Sequence, residues 1–131
     1  MFKSFFCAVL LVMSWASAAN AQGVDCSYNL SGRLVRQGSP WQLTVYGAQG
    51  AVNGTGYSPG YDYSFNLECD SPYQARGWIR RRNAASGCID GLYATMMAVN
   101  TYNVRIIVSA VDTSCGLNPY YTEDTILARY P

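Results

Sequence analysis

The sequence predicts a mainly β domain with one helix, held together by two disulfides. Three observations favour this fold class. Apolar and polar residues alternate with period two along several short segments, tyrosine is in excess, and four cysteines follow a predicted export signal. The chain of 131 residues contains 11 tyrosines, and tyrosine and β-branched side chains fit a pleated, half-buried surface.

Residues 1–21 are predicted to be a signal peptide. Lys3 supplies a positive start, residues 5–15 are apolar except for Ser14, and small residues precede Gln22 in the pattern of a cleavage site. The apolar run is shorter than the roughly 20 residues that a membrane-spanning helix needs, so a retained anchor is the weaker alternative. We therefore expect one domain over residues 22–131, secreted or periplasmic, without membrane insertion.

Six segments have the pattern of strands. In the clearest of them, Trp41, Leu43 and Val45 alternate with polar or amphipathic neighbours, which predicts a strand with one apolar face. The segments are residues 30–37, 41–46, 63–69, 75–82, 104–111 and 125–130.

Residues 90–103 instead predict the helix. Apolar residues recur there at helical spacing, namely Leu92, Met96, Val99 and Tyr102. Asp90 and Asn103 are suited to cap its two ends, and no charged residue stands between them. A helix that is apolar nearly all round has a second face to cover. We therefore expect a neighbouring subunit to cover it, in a homo-oligomer.

Two further segments attract attention. Residues 47–60 contain five glycines and predict an exposed, mobile loop between two strands.

Arg80, Arg81 and Arg82 could meet phosphate, sulfate or an acidic sugar, or could form a solvated strand end. In a strand Arg81 points away from the other two, so the three do not form one patch.

Four cysteines follow the predicted signal: Cys26, Cys69, Cys88 and Cys115. An even number of cysteines in an exported chain indicates two disulfides, with three possible pairings. We favour Cys69–Cys88, which flank adjacent strand-like segments, and Cys26–Cys115, which would join the N-terminus to a late turn. Each is expected to contribute about 3 kcal/mol or more.

The composition excludes most enzyme classes. The chain has no histidine, and its only lysine, Lys3, lies in the predicted signal. Histidine-based nucleophile systems, histidine metal sites and Schiff-base lysines are therefore absent. Eight arginines balance eight acidic residues after residue 21, which disfavours nucleic acid as a partner. We expect a protein that is not an enzyme and holds no metal or cofactor. An enzyme using only carboxylates and tyrosines is the last-ranked alternative.

Tyrosine also has a functional interpretation. Its ring can stack on a sugar while its hydroxyl forms hydrogen bonds. Tyr57, Tyr61, Tyr120 and Tyr121 lie in or beside predicted loops, where packing in a core is the weaker explanation. These four are the candidate glycan-binding tyrosines, although sheet proteins outside the cell also use many tyrosines structurally.

Three stretches of the chain resemble the B subunits of AB5 toxins, particularly those of subtilase cytotoxin, typhoid toxin and the pertussis-like group. The longest reads G-L-Y-A-T-M-M-A-V-N-T-Y-N-V-R-I-I-V from Gly91 to Val108. The others are Leu30-Ser31-Gly32 and Cys115 followed by a final strand. The chain departs from that family in its long glycine-rich segment and in the position of one cysteine.

The resemblance implies a small OB-like β-barrel, here of five to six strands with one helix. It also implies a homo-pentamer that binds cell-surface glycans beside a toxin A subunit, with Ser31 contacting the glycan. We therefore expect a secreted, non-catalytic, glycan-recognising module similar to a toxin B subunit. The alternative is a periplasmic inhibitor or immunity protein that blocks a partner enzyme with residues 47–60 and 80–82.

Overall fold

The computed structural model describes Cys26 and residues 30–130; the predicted signal peptide lies outside these residues. The described part of the chain forms eight antiparallel strands that close into one barrel. The strands are β1 (Gly32–Val35), β2 (Gln42–Ala48), β3 (Ala51–Ser58), β4 (Tyr61–Ser71), β5 (Gln74–Asn83), β6 (Ile89–Asn100), β7 (Asn103–Asp112) and β8 (Glu123–Tyr130). Each strand pairs with its neighbours in the chain, and β8 closes the barrel against β1. No helix among the described residues is long and apolar enough to cross a membrane.

Alternate residues of every strand fill the interior of the barrel. An eight-stranded barrel is just wide enough for side chains to fill it, and the core is a continuous apolar cluster. One end, which we call the closed end, is filled by the fully buried Cys26 and Leu30, and the Leu30 N–H donates to the Cys26 carbonyl at 2.8 Å. The other end, which we call the open end, carries the connections at residues 36–41, 59–60, 84–88 and 113–122.

The expected β-barrel with two disulfides is confirmed, but the strand count and topology differ from the expectation. All six strands predicted from the sequence are present, as β1, β2, β4, β5, β7 and β8. Two more, β3 and β6, raise the number to eight. Neighbouring strands pair in chain order, which makes an up-and-down barrel and not the five-stranded Greek key of an OB-fold.

The predicted helix at residues 90–103 is wrong, because this segment forms β6 and the turn after it. Leu92, Ala94 and Met96 point into the barrel and are buried. Leu92 and Met96 are four residues apart, a spacing that a helix face and a strand face share, so they could not separate the two structures. The outer face needs no charge, because Tyr93 packs edge to face against Trp78 with ring centroids 5.3 Å apart. The inward residues of this segment, including Met96, are therefore covered within its own barrel, whereas Val99 and Tyr102 are exposed.

The predicted mobile loop at residues 47–60 is also wrong, because most of it forms the end of β2 and the whole of β3. The connection from β2 is a two-residue turn at Gln49 and Gly50, both with positive φ (40° and 90°), as a tight hairpin requires. A Cβ added to Gly54 would lie 2.0 Å from the Thr44 carbonyl oxygen, and one on Gly56 would lie 2.2 Å from Leu43 Cδ2. The glycines therefore allow β2 and β3 to approach closely inside the sheet.

Both favoured disulfide pairings are wrong: the bonds are Cys26–Cys69 and Cys88–Cys115. β5 lies between Cys69 and Cys88 in the chain and runs from the closed end to the open end, a length of about 33 Å for ten residues. The two cysteines therefore stand at opposite ends of the barrel. Cys69 faces inward beside Cys26, whereas Cys88 and Cys115 meet between two connections at the open end.

Candidate functional site

Five half-buried side chains from different parts of the chain meet at the open end of the barrel. They are Trp41, Tyr63, Arg81, Tyr121 and Glu123, and we call them the mouth. Below them lies a cavity of about 30 Å³. Its floor is apolar and consists of Leu43, Ile79, Leu92, Ile106 and Val108. Barrel mouths and other concave sites with a few convergent polar groups are where small ligands bind.

Two aromatic side chains form one side of the mouth. The rings of Trp41 and Tyr63 pack edge to face with centroids 5.7 Å apart. The Trp41 indole N–H donates to the Tyr63 hydroxyl at 3.2 Å, and Ser58 Oγ lies 3.1 Å from the same hydroxyl. Inward alternation in β4 places Tyr63 above Phe65, so the pair stands directly on the core.

Arg81 is the cation of the mouth. As the sequence predicts, it points away from Arg80 and Arg82, and the structure shows that it faces inward from β5 whereas those two are exposed. Its guanidinium lies 4.2 Å from the centre of the Tyr61 ring, and its Nη2 lies 3.3 Å from a carboxylate oxygen of Asp90. Arg81 Nε is buried without a hydrogen-bond partner in the described part of the chain. A buried donor without a partner costs about 1–3 kcal/mol.

The buried carboxylate of Asp90 ties the mouth to the longest connection of the open end. It accepts a hydrogen bond from the Thr113 hydroxyl at 2.7 Å. Thr113 Oγ1 in turn accepts from the backbone N–H groups of Cys115 and Leu117, at 3.2 and 3.0 Å. Together with the Cys88–Cys115 disulfide, these bonds fix the start of the 113–122 connection against β6.

Tyr121 and Glu123 supply the opposite side of the mouth. The Tyr121 hydroxyl donates to one carboxylate oxygen of Glu123, and the Thr125 hydroxyl donates to the other. Burial, then the hydrogen bond to Glu123, raise the pKa of Tyr121 well above its ordinary value of 10.0. Tyr121 is therefore a neutral donor at neutral pH. Arg81 contributes one positive charge, and Asp90 and Glu123 contribute two negative ones, so the surroundings of the mouth do not favour an anion.

The structure brings four of the five predicted glycan-binding residues to the open end. Tyr121 belongs to the mouth, and Tyr61 lies against Arg81. Tyr57 lies on the outside of β3, where its hydroxyl accepts a hydrogen bond from Gln42. Tyr120 is 87% exposed in the connection before β8. These four tyrosines come from two separate parts of the sequence.

The fifth predicted residue, Ser31, lies at the closed end, immediately before β1. Its hydroxyl oxygen accepts a hydrogen bond from the Gly47 backbone N–H at 2.9 Å, which holds the end of β2. Ser31 does not join the four tyrosines. Its contact with a glycan stays a prediction that would need a second site at the closed end.

Reasoning from the sequence missed three residues of the mouth, namely Trp41, Tyr63 and Glu123, and considered Arg81 only as part of the run from Arg80 to Arg82. Period-two alternation does place Trp41, Tyr63 and Arg81 on inward faces of their strands. It cannot show that the strands close into a barrel, and closure is what brings these faces together. Within the described residues, no group of three or more cysteine or acidic side chains could hold a metal ion.

Comparison with protein-family models, with curated proteins and with solved structures finds no match to this chain.

Proposed function

We propose that this protein is an exported, non-catalytic binding module that recognises carbohydrate at the open end of its barrel. The supporting observation is the meeting of three aromatic side chains with Arg81 and Glu123 around one small apolar cavity. Aromatic rings stack on the C–H faces of sugars, and phenol, guanidinium and carboxylate groups form hydrogen bonds with sugar substituents. The two disulfides are consistent with a secreted or periplasmic location.

The contacts of the two carboxylates, Asp90 and Glu123, favour a binding role over catalysis. Hydrolysis of a glycoside generally uses two carboxyl groups, one as acid and one as base or nucleophile. Asp90 is buried and already held by Arg81 and Thr113. That leaves Glu123 as the accessible carboxylate of the mouth, which suits an acceptor of hydrogen bonds.

The resemblance to toxin B subunits extends this proposal to the assembled protein. It implies that the ligands are cell-surface glycans, that the functional form is a homo-pentamer and that the partner is a toxin A subunit. This part rests on the resemblance alone, because the uncharged segment that favoured an oligomer is β6 of the barrel. Light scattering on the exported protein tests it: a five-fold mass supports the assembly, and a monomer contradicts it.

A glycan array tests carbohydrate recognition, with two tyrosine variants as probe and control. Tyr120 is 87% exposed at the open end, and Tyr102 is 73% exposed in a turn at the closed end. Neither substitution by alanine removes a buried contact, so both variants should fold. We expect Tyr120→Ala to weaken glycan binding about three- to tenfold through the loss of one aromatic contact, and Tyr102→Ala to leave it unchanged.

Two results would count against carbohydrate recognition at the open end. One is an array on which no glycan retains the protein. The other is an equal loss of binding in the Tyr120→Ala and Tyr102→Ala variants, because the bound face would then not be the open end.

A periplasmic inhibitor or immunity protein is the second candidate, and the 113–122 connection favours it. The Cys88–Cys115 disulfide and the hydrogen bonds of Thr113 hold this connection in place while Tyr120 extends into solvent. A fixed, projecting loop is suited to enter the active site of an enzyme. Residues 47–60, first expected in this role, are strands. Isolation of one stoichiometric partner enzyme, released by Tyr120→Ala, would favour this candidate over carbohydrate binding.

A further inference from the structure

We infer that the mouth recognises the acetamido group of an N-acetylated sugar. This inference rests on the proposed carbohydrate function and names the substituent that the site selects. Three features of the mouth carry it: the size of the cavity, a guanidinium donor and a carboxylate acceptor that line this cavity, and the balance of charge.

The cavity has the size and lining of a methyl pocket. Its volume of about 30 Å³ is enough for about one or two water molecules and far too small for a sugar ring. Its floor is formed by aliphatic side chains that are each at most 5% exposed, among them Ile79, Leu92 and Val108. An apolar cavity of this kind favours a small alkyl group over water.

The polar groups that line the same cavity match an amide. Arg81 lines the cavity, and its guanidinium has N–H donors left beyond the one that faces Asp90. Glu123 is a carboxylate with acceptor capacity left beyond its bonds to Tyr121 and Thr125. With the methyl of an acetamido group in the cavity, its carbonyl can accept from the Arg81 guanidinium and its N–H can donate to Glu123.

The charges of the mouth distinguish an amide from ionic ligands. A carboxylate ligand would approach Glu123 and Asp90, and an ammonium ligand would approach Arg81. A neutral group with one acceptor and one donor can accept a hydrogen bond from Arg81 and donate one to Glu123. An acetylated lysine carries the same amide, but it has no ring to stack on Trp41 or Tyr121. The aromatic rim therefore favours a sugar.

Calorimetric titration of the exported protein with four ligands tests the inference. They are the disaccharide of N-acetylglucosamine, its deacetylated form, the corresponding disaccharide of glucose, and a peptide containing acetyl-lysine. We expect the N-acetylated disaccharide to bind at least about tenfold more tightly than each of the others, because the two other disaccharides lack the acetamido group and the peptide lacks the sugar ring.

A cavity-filling variant adds a test of the site itself. Val108→Ile places one more carbon in the cavity and should weaken binding of the N-acetylated disaccharide at least tenfold without lowering the thermal midpoint. Val99→Ile, at an exposed position near the closed end, is the matched control and should bind as the wild type does. The ligand series on the wild-type protein stands independently of how Val108→Ile folds.

The outcomes separate this inference from the proposed function. Equal binding of the N-acetylated disaccharide and the glucose disaccharide would overturn the acetamido site and leave carbohydrate recognition intact. Tighter binding of the acetyl-lysine peptide would overturn the sugar as the ligand. Binding of none of the saccharides, here and on the array, would overturn both.

Discussion

Tyr121 connects the chemistry of the mouth to the stability of the fold. Burial and the hydrogen bond to Glu123 raise its pKa, so the folded protein holds the phenolic proton more tightly than the unfolded chain does. A group whose pKa is raised in the folded state contributes fully to stability below its unfolded-state pKa. That contribution is lost as the pH rises from there through the folded-state pKa. The relevant window therefore begins near pH 10.0, the ordinary value for tyrosine.

We predict that Tyr121→Phe makes the thermal midpoint of the protein less dependent on pH in the alkaline range. The wild-type protein should lose thermal stability as the pH rises above about 10, where the tyrosine ionises in the unfolded chain and not in the folded protein. The variant lacks the phenol, so its thermal midpoint should fall less steeply over the same range. Tyr102→Phe removes an exposed phenol and is the control. Parallel pH profiles for wild type and Tyr121→Phe would show that the folded state does not hold this proton.

At the scale of single elements, β3 and β6 show where a sequence pattern is insufficient. Both strands alternate inward and outward residues like the six strands that were predicted correctly. In β3 the inward positions Gly54 and Gly56 carry no apolar side chain, so the sequence of this strand does not show alternating apolar and polar residues. In β6 the outward residues are uncharged, so an apolar strand resembled a helix. Both features depend on contacts with neighbouring strands that a single segment does not reveal.

The glycines of β3 provide a test at this scale. Gly54→Ala would bring a Cβ to 2.0 Å from the Thr44 carbonyl oxygen and 2.9 Å from Phe65 Cζ. Because the backbone at Thr44 cannot move away without a large energetic cost, we expect a loss of about 3 kcal/mol or more in the free energy of unfolding. In Gly91→Ala, on the outer face of β6, the new Cβ lies 3.2 Å from a ring carbon of Trp78. That loss should be smaller, and urea unfolding measures both. Equal losses would mean that the approach of β2 to β3 is not the constraint.

For the whole molecule, the two disulfides hold opposite ends of one barrel. The sequence predicts that both exist, from an even number of cysteines in a chain that is predicted to be exported. It cannot give their pairing, because pairing depends on which end of the barrel each cysteine reaches. The same limit applies to the mouth: inward faces were predictable, whereas the side chains that share one end were not.

Removing the disulfides one at a time should separate stability from binding. The loops closed by Cys26–Cys69 and Cys88–Cys115 span 43 and 27 residues, so loss of either bond should cost about 3–4 kcal/mol of unfolding free energy. Serine variants at Cys88 and Cys115 should also weaken binding, because the 113–122 connection that carries Tyr121 loosens. Serine variants at Cys26 and Cys69 should bind with unchanged affinity. Equal effects of the two pairs on affinity would show that binding does not depend on the open end.

The location of the binding site is the central claim, and the indole N–H resonances of two tryptophans test it most directly. Trp41 belongs to the mouth, whereas Trp78 lies on the outer face of β5 and is 47% exposed. In a nitrogen–proton correlation spectrum recorded during titration with the N-acetylated disaccharide, with Trp78→Phe assigning the signals, the Trp41 resonance should shift and the Trp78 resonance should stay. A shift of Trp78 with Trp41 unmoved would contradict the account and place the ligand on the barrel wall.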